Sequence, residues 1–422
     1  MNWTRRIINS FRQPGSHRPP RPGKVLEPRP QDTWRDYPSS NLKPRRLLTI
    51  LREADAGSLS AAMQLYEEME EKDPHLYAVA NTRRLAVTGL DWTIRPDTRV
   101  ARRDLAERTA DYCRDVLTRI DSFDEALQHL SLATGRNIAV AELVWGESDE
   151  TLTLTDIVPI DFTRIVLDEL DRPRILTDDA PFDGIELAPD KFVVHTPQCT
   201  SGHPARGGLL RVTALIYLAK NLALKDWMIF AEIFGMPVRI ARYEPSASPD
   251  EKRELLNMLE SLGSNAAGIF SRAVDLQIVE ASRGTQSPPY EKLIDFLNRE
   301  MSKAWLGQTL TTDTTGTRGT FAASSVHEQV RKDVLADDLR KEARTIRRDI
   351  LTPLVKFRFG ADAPVPRFVR HISRADSAQE LVELLSVAVN DLGISVPEKW
   401  VRESLGIPAA AAAAPVLSGR GD

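Results

Sequence analysis

The hydrophobic positions of the chain change period along its length, and each change predicts a different architecture. From Pro44, the positions Leu47, Leu48, Ile50 and Leu51, then Leu59, Met63, Leu65, Tyr66 and Met69 recur at helical spacing up to Asp73. Pro74 restarts a helix through Leu76, Val79, Ala80 and Leu85, because a proline at a first helical position lacks only an N–H that would have no partner there. Alternation of Leu90, Trp92 and Ile94 predicts a short strand, and helices follow at about 100–120 and about 123–134. From Asn137 the period falls to two through Ile138, Val140, Glu142 to Trp145, Leu152, Leu154, Ile157, Phe162, Ile165 and Leu167. It continues through Ile175, Ile185 to Leu187 and Phe192 to His195, with turn residues at Gly146 to Glu150 and Asp171 to Pro173. An antiparallel region is therefore expected, and the Gly-rich break from Gly202 to Gly208 closes an α+β first half.

Leu209 to Phe234 contains neither Pro nor Gly and predicts a helix roughly 39 Å long at 1.5 Å per residue. It is apolar on most faces yet carries Arg211, Lys220, Lys225, Asp226 and Glu232, which suits neither a bilayer span nor a half-exposed surface helix. Such a helix needs neighbours on several sides, and self-association in a ring is one way to supply them. Gly235 and Pro237 stop it, and a small α/β insert follows: a strand at Val238 to Tyr243, a helix at Pro249 to Leu262, and a helical turn or strand pair at Gly268 to Ile278. A second long helix starts at Pro288 and Pro289 and runs through Ile294, Phe296, Leu297, Met301 and Trp305 to Gly307. The segment Gly307 to Thr320, GQTLTTDTTGTRGT, has no apolar period and reads as an exposed flexible loop. Phe321, Val326, Val330, Val334, Leu335, Leu339, Ile346, Ile350 and Leu354 then form one stripe of a helix of about thirty residues, with Pro353 at its end. Short helices at Ser377 to Asp391 and Pro397 to Leu405 precede an Ala-rich tail.

Composition narrows the classes. The 422 residues leave room for two to four domains, and no run of 18 uncharged apolar residues predicts a bilayer crossing. Met1 to Phe11 lacks the continuous apolar stretch of a secretory signal, so cytoplasm is the default compartment. Met1 to Arg46 holds eleven Lys/Arg, three Asp/Glu and eight prolines, the composition of an arm that binds nucleic acid, threads onto a neighbouring subunit or stays a solvated tail; Trp3, Ile7, Ile8, Phe11 and Trp34 suggest that it docks on something. Cys113 and Cys199 are too far apart for a CxxC pair, and a net charge of -4 leaves no global basic footprint for tight nucleic-acid binding.

Chemistry-bearing constellations are weak. His195, Cys199 and His203 recur every four residues, but Thr196-Pro197 and Ser201-Gly202 between them predict a surface turn and not a zinc-binding helix face. Asp156, Asp161, Asp168 and Asp171 are expected as solvated strand ends, although they could in principle pair around magnesium. The chain contains no Gly-x-x-x-x-Gly-Lys-Ser/Thr loop, no GxSxG elbow and no HExxH, so catalysis is not expected.

Three stretches taken together resemble a known family: Gly207 to Tyr243, with GLLR and LKDWMIFAEIFGMPVR; Trp305 to Thr312, with LGQTLTT; and Ala322 to Val330. Over roughly residues 40–375 the chain resembles the portal proteins of Mu-like tailed phages. The resemblance implies an α+β portal-type fold: an arm at 1–46, a wing at 47–208, stem helices at 209–234 and 288–306, a clip at 235–287, a channel loop at 307–320, a long channel helix returning to the wing at 321–375, and a reduced helical crown and tail at 376–422. It further implies a ring, generally of twelve subunits, at one capsid vertex of a virion assembled in the bacterial cytoplasm. Double-stranded DNA would pass through it without sequence readout. The terminase large subunit and then a head-tail adaptor would dock on it, with the major capsid and scaffolding proteins around it, and no cofactor, metal or membrane would be involved. The residues assigned on that basis are Thr309, Thr311, Thr312, Thr314, Thr315, Thr317 and Arg318 toward DNA, and Glu251, Lys252, Arg253 and Glu254 toward the motor and adaptor. Leu209, Leu215, Leu222, Trp227, Phe230, Phe234, Phe296 and Trp305 are assigned to self-association of the stem. The rival readings are a DNA-processing enzyme of a mobile element, or another head-assembly connector.

Overall fold

Two hydrophobic cores share one central sheet in the computed structural model, which describes residues 42–148, 151–197, 203–235, 238–242, 248–253, 257, 275–279, 289–309, 321–371, 378–405 and 407. In chain order the first half comprises α1 (Pro44–Asp55), α2 (Ser60–Lys72), α3 (Pro74–Thr88), β1 (Trp92–Arg95), α4 (Arg103–Thr118), α5 (Phe123–Ser131), α6 (Ala133–Arg136), β2 (Ala139–Ser148), β3 (Thr151–Pro159), β4 (Ile165–Leu167), β5 (Pro173–Ile175), β6 (Ile185–Glu186) and β7 (Phe192–His195). The second half comprises α7 (Leu209–Gly235), β8 (Val238–Arg242), β9 (Asp275–Val279), α8 (Pro289–Leu306), α9 (Phe321–Ile346), α10 (Thr352–Phe359), β10 (Arg367–Arg370), α11 (Ala378–Ser386) and α12 (Glu398–Leu405).

The antiparallel sheet β3-β2-β7 explains the period of two. Successive side chains of a strand point to opposite faces, so Ile138 and Val140 enter one core while Ala139, Ala141, Leu143 and Trp145 enter the other. The first core gathers α1, α2, α3, the strands β4 and β5, and the roots of α7 and α8. The second gathers α4, α5, the other face of the sheet, and Ile346, Ile350, Leu351 and Leu354 from the end of the long helix. Strand β10 returns to pair antiparallel with β1, Ile94 opposite Phe368, which ties the end of this region to its beginning.

Several expectations are corrected. The apolar run from Leu47 to Met69 is two helices, because Gly57 at φ +96° breaks it; a Cβ there would lie 2.6 Å from the Leu167 carbonyl oxygen. Phe162 lies in a 3₁₀ turn, Phe162–Arg164, and not in a strand. Pro353 does not end the long helix: a π-helical turn, Arg347–Leu351, precedes it and α10 continues to Phe359. A proline collides with the carbonyl four residues back in a regular helix, and the wider π turn relieves that constraint. In the insert, β8 pairs antiparallel with β9, while most of the helix expected at 249–262 lies outside the described residues.

Candidate functional site

The roots of α7 and α8 sit inside the first core, and their outer parts do not. Leu210, Ala214, Tyr217 and Leu218 repeat at helical spacing and are buried with Met301, Trp305 and Leu306 of α8. The backbone enters α7 under tight constraint, since a Cβ on Gly208 would fall 2.1 Å from the Gly135 carbonyl oxygen. Farther out, Ala223 is buried and Trp227 half-buried, and the Phe230 and Tyr290 rings lie 6.0 Å apart across the hairpin. Much of the remaining outer surface is apolar: Leu215 is 65% exposed and Met228 72%, with Leu222, Leu224, Ile229, Leu293 and Phe296 also exposed, beside the exposed polar residues Asn221, Lys225 and Asp226. Val212, Leu215, Leu222 and Ile229 fall on one stripe at 100° per residue, which Asp226 shares, so the exposure forms a largely apolar face and not scattered residues.

Of the residues expected to mediate self-association, Leu215, Leu222 and Phe296 are exposed, Phe230 is partly exposed and meets Tyr290 across the hairpin, Trp227 is half-buried, and Leu209 is half-buried against the first core. The side chain of Phe234 lies outside the described residues. Trp305 is corrected: it is fully buried within the protomer. It lies nine positions after Phe296, which at 100° per residue puts the two on opposite faces of α8.

A polar clamp holds the hairpin root. Asp73 caps α3 by accepting from His75 N at 3.0 Å and Leu76 N at 3.1 Å, and its carboxylate also pairs with Lys220 of α7 at 2.7 Å. His75 Nε2 lies 2.8 Å from Ser302 Oγ of α8. Arg83 of α3 forms a two-pronged pair with Asp338 of α9, at 2.8 and 3.0 Å, and donates to the Trp305 carbonyl oxygen. Glu342 and Arg370 pair bidentately at 3.0 and 2.8 Å, both buried. Burial pushes the Glu342 carboxyl up, against the pull of Arg370. None of this clamp follows from periodicity; the one signal in the sequence is Lys220, a charge set within the apolar stretch from Val212 to Leu224.

In the loop expected to face DNA, Gly307 at φ +69° ends α8 and Thr309 is described, while Thr311, Thr312, Thr314, Thr315, Thr317 and Arg318 lie outside the described residues. In the insert, Glu251, Lys252 and Arg253 are exposed and Glu254 lies outside the described residues. Two of these charges already have local work. Glu251 accepts from Ser248 N at 2.7 Å while Ser248 Oγ accepts from Glu251 N at 3.2 Å, a reciprocal helix cap that holds the Glu251 carboxyl below its ordinary range, and Arg253 pairs with Asp250.

The other candidates serve the fold. Asp156 accepts from Ser122 Oγ and Ile157 N, Asp161 caps the 3₁₀ turn through Thr163 N, and Asp168 accepts from Leu170 N and Arg172 N in the hairpin whose turn includes Asp171. His195, expected in a surface turn, is instead buried at the end of β7 with Nδ1 2.8 Å from Thr345 Oγ1. His203 caps a 3₁₀ turn and Cys199 lies outside the described residues. Among the described residues no group of three or more His, Cys, Asp or Glu is arranged to hold a metal ion, and no helix is long and apolar enough to cross a membrane.

Comparison with known proteins agrees with this arrangement of sheet, hairpin and long helix. The chain is 29% identical over 382 residues to the Mu-like prophage FluMu protein gp29 of Haemophilus influenzae, covering 89% of this chain and 73% of that one. It is 29% identical over 375 residues to the portal protein of Escherichia phage Mu, covering 88% and 72%. Its fold matches a chain from the neck of a native GTA particle computed with C12 symmetry, with a TM-score of 0.55 at 11% identity, covering 88% of this chain and 96% of that one. The model of one family, the portal protein of Mu bacteriophage, matches residues 63–407, and with four-fifths of its length inside that match the chain belongs to the Mu bacteriophage portal protein family.

Proposed function

We propose that copies of this portal protein, most simply twelve, close into a ring at one vertex of the phage capsid and conduct double-stranded DNA during packaging and ejection. The observation that carries this reading is the uncovered apolar face of α7 and α8, from Leu215 to Ile229 and at Phe296, on a hairpin clamped at its root. A lone protomer has no use for such a face in water, whereas a ring covers it on both sides of every subunit. The twelve-fold neck whose fold is similar supports that multiplicity. The channel would be mildly repulsive to phosphate, since twelve copies of -4 amount to -48, which suits a substrate that must slide. Hydroxyls of the Thr-rich loop would make transient phosphate contacts without sequence readout.

The insert, carried at the far end of the hairpin, would dock the terminase large subunit and then the head-tail adaptor. The wing would face capsid and scaffolding proteins, and the role is structural and not enzymatic. Mass photometry and negative-stain imaging of purified protein test the reading. Particles near twelve times 47.2 kDa with a central hole are expected, and monomers or dimers throughout the micromolar range would refute it.

A further inference from the structure

The β4–β5 hairpin leaves an open groove of about 570 Å³ between the end of α1 and the loop after β5. Gly57, Val166, Leu167 and Leu176 line it, and Phe182, 87% exposed, stands at its rim. Leu170, at the tip of the neighbouring hairpin, is 71% exposed. Neither side chain packs inside the protomer. The field around them is strongly negative, because residues 168–186 hold seven carboxylates against two arginines. Both arginines are engaged locally: Arg172, itself exposed, pairs with Asp168 at 2.8 Å, and Arg174, at the groove wall, donates to the carbonyl oxygens of Asp183 and Gly184 at 2.8 Å. Glu169, Asp179 and Asp183 are exposed. Apolar anchors inside a negative field fit a basic peptide that carries large apolar side chains, and they repel a nucleic-acid backbone.

We propose that this groove binds the chain's own amino-terminal segment, residues 1–41. That segment has eight Lys/Arg against three Asp/Glu, and it carries Trp3, Ile7, Ile8, Phe11 and Trp34. Its seven prolines remove backbone donors, so an extended stretch lies on a surface with few N–H groups left wanting partners. Reach is ample. The segment joins the fold at Leu42, and α1 then covers roughly 18 Å to Ala56 at the groove. About thirty residues between Phe11 and Leu42, at ~3.1 Å each, span several times that distance. Tethering also raises the local concentration to roughly millimolar, so exposed and screened charge contacts suffice. One protomer contains both parts, and the assignment is therefore independent of ring formation.

The test uses the full-length protein. A carbodiimide joins an amine to a carboxylate without a spacer, and peptide mapping is expected to find Lys24 or the terminal amine coupled to Glu169, Asp179 or Asp183. Cleavage of residues 1–41 by an arginine-specific protease is expected to be at least tenfold slower in wild type than in the triple variant Glu169→Lys, Asp179→Lys, Asp183→Lys. Phe182→Ser, which keeps every charge, is expected to lose several-fold of the protection; all four positions are exposed, and circular dichroism checks that the variants fold. Equal cleavage in wild type and variants, couplings of Lys24 to other carboxylates only, or protection that appears only when duplex DNA is added would each overturn the proposal.

Discussion

Lys220 Nζ lies 2.7 Å from the carboxylate of Asp73, and both residues are more than nine-tenths buried. The contact joins a lysine of α7 to the residue that caps α3, at the level where the helical hairpin leaves the core. A buried charge is tolerable here only because its partner and two backbone N–H groups satisfy it together.

Removing one member should therefore cost more than removing both. Lys220→Met is expected to destabilise the protomer by about 3 kcal/mol, because it leaves the buried Asp73 carboxyl without its side-chain partner. Asp73→Ser retains a helix cap without the charge, and the double variant Lys220→Met, Asp73→Ser should recover more than half of the loss. Urea unfolding of the four proteins closes the cycle, and additive losses would show that the pair is not coupled.

Acid should weaken the fold through buried imidazoles. Burial, aided by Arg348 and Lys341, depresses His195 from 6.5 to about 4, and burial does the same to His129. The unfolded chain then binds a proton below pH 6.5 that the folded chain refuses. The contribution of His195 is whole above pH 6.5 and falls away between about 6.5 and 4, a loss of roughly 3 kcal/mol. Denaturant midpoints at pH 7.5 and 4.5 should differ less in His195→Gln than in wild type. An identical pH dependence in the two proteins would remove His195 as a cause.

Ring closure should be separable from folding at the exposed positions of α7. Leu215→Asp and Met228→Asp each place a charge on a surface the protomer already exposes, so protomer stability should change by less than about 0.5 kcal/mol. In a subunit interface the same charge would be desolvated without a partner, and rings should be lost. Normal rings from both variants would count against this face as the contact.

Arg318 is the only cation in the stretch from Gly307 to Thr320, and in a twelve-membered ring it would become a belt at one height. Each exposed contact to phosphate is worth ~1 kcal/mol or less, enough to retain DNA collectively without gripping it. Arg318→Glu should permit ring and prohead assembly while lowering the DNA retained in heads. Full-length genomes at normal yield in that variant would leave Arg318 without a role.

Local periodicity made much of the architecture legible from the sequence. The hairpin helices were readable because Leu209 to Phe234 has no breaker and Pro289 and Gly307 mark the bounds of the second helix. The sheet was readable because Ile138 to Trp145 alternates, and alternation is a property of neighbouring residues. A break fixed by a distant contact was not readable, since Gly57 ends a helix where it meets Leu167, and neither was a change of helix type, since a π turn at Arg347–Leu351 lets the helix pass Pro353.

By itself the sequence determined that α7 is apolar on more faces than one partner helix can cover. Only the tertiary structure decided which half is covered, burying Tyr217 and Trp305 and leaving Leu215 and Phe296 in water. The partners of the buried charges were likewise decided in three dimensions. Lys220 with Asp73, Arg83 with Asp338 and Arg370 with Glu342 are far apart in the chain or on different elements. A residue type sets what a side chain can bond, but which group is within about 3 Å of it is set by how helices and sheet pack, and that is a property of the whole core.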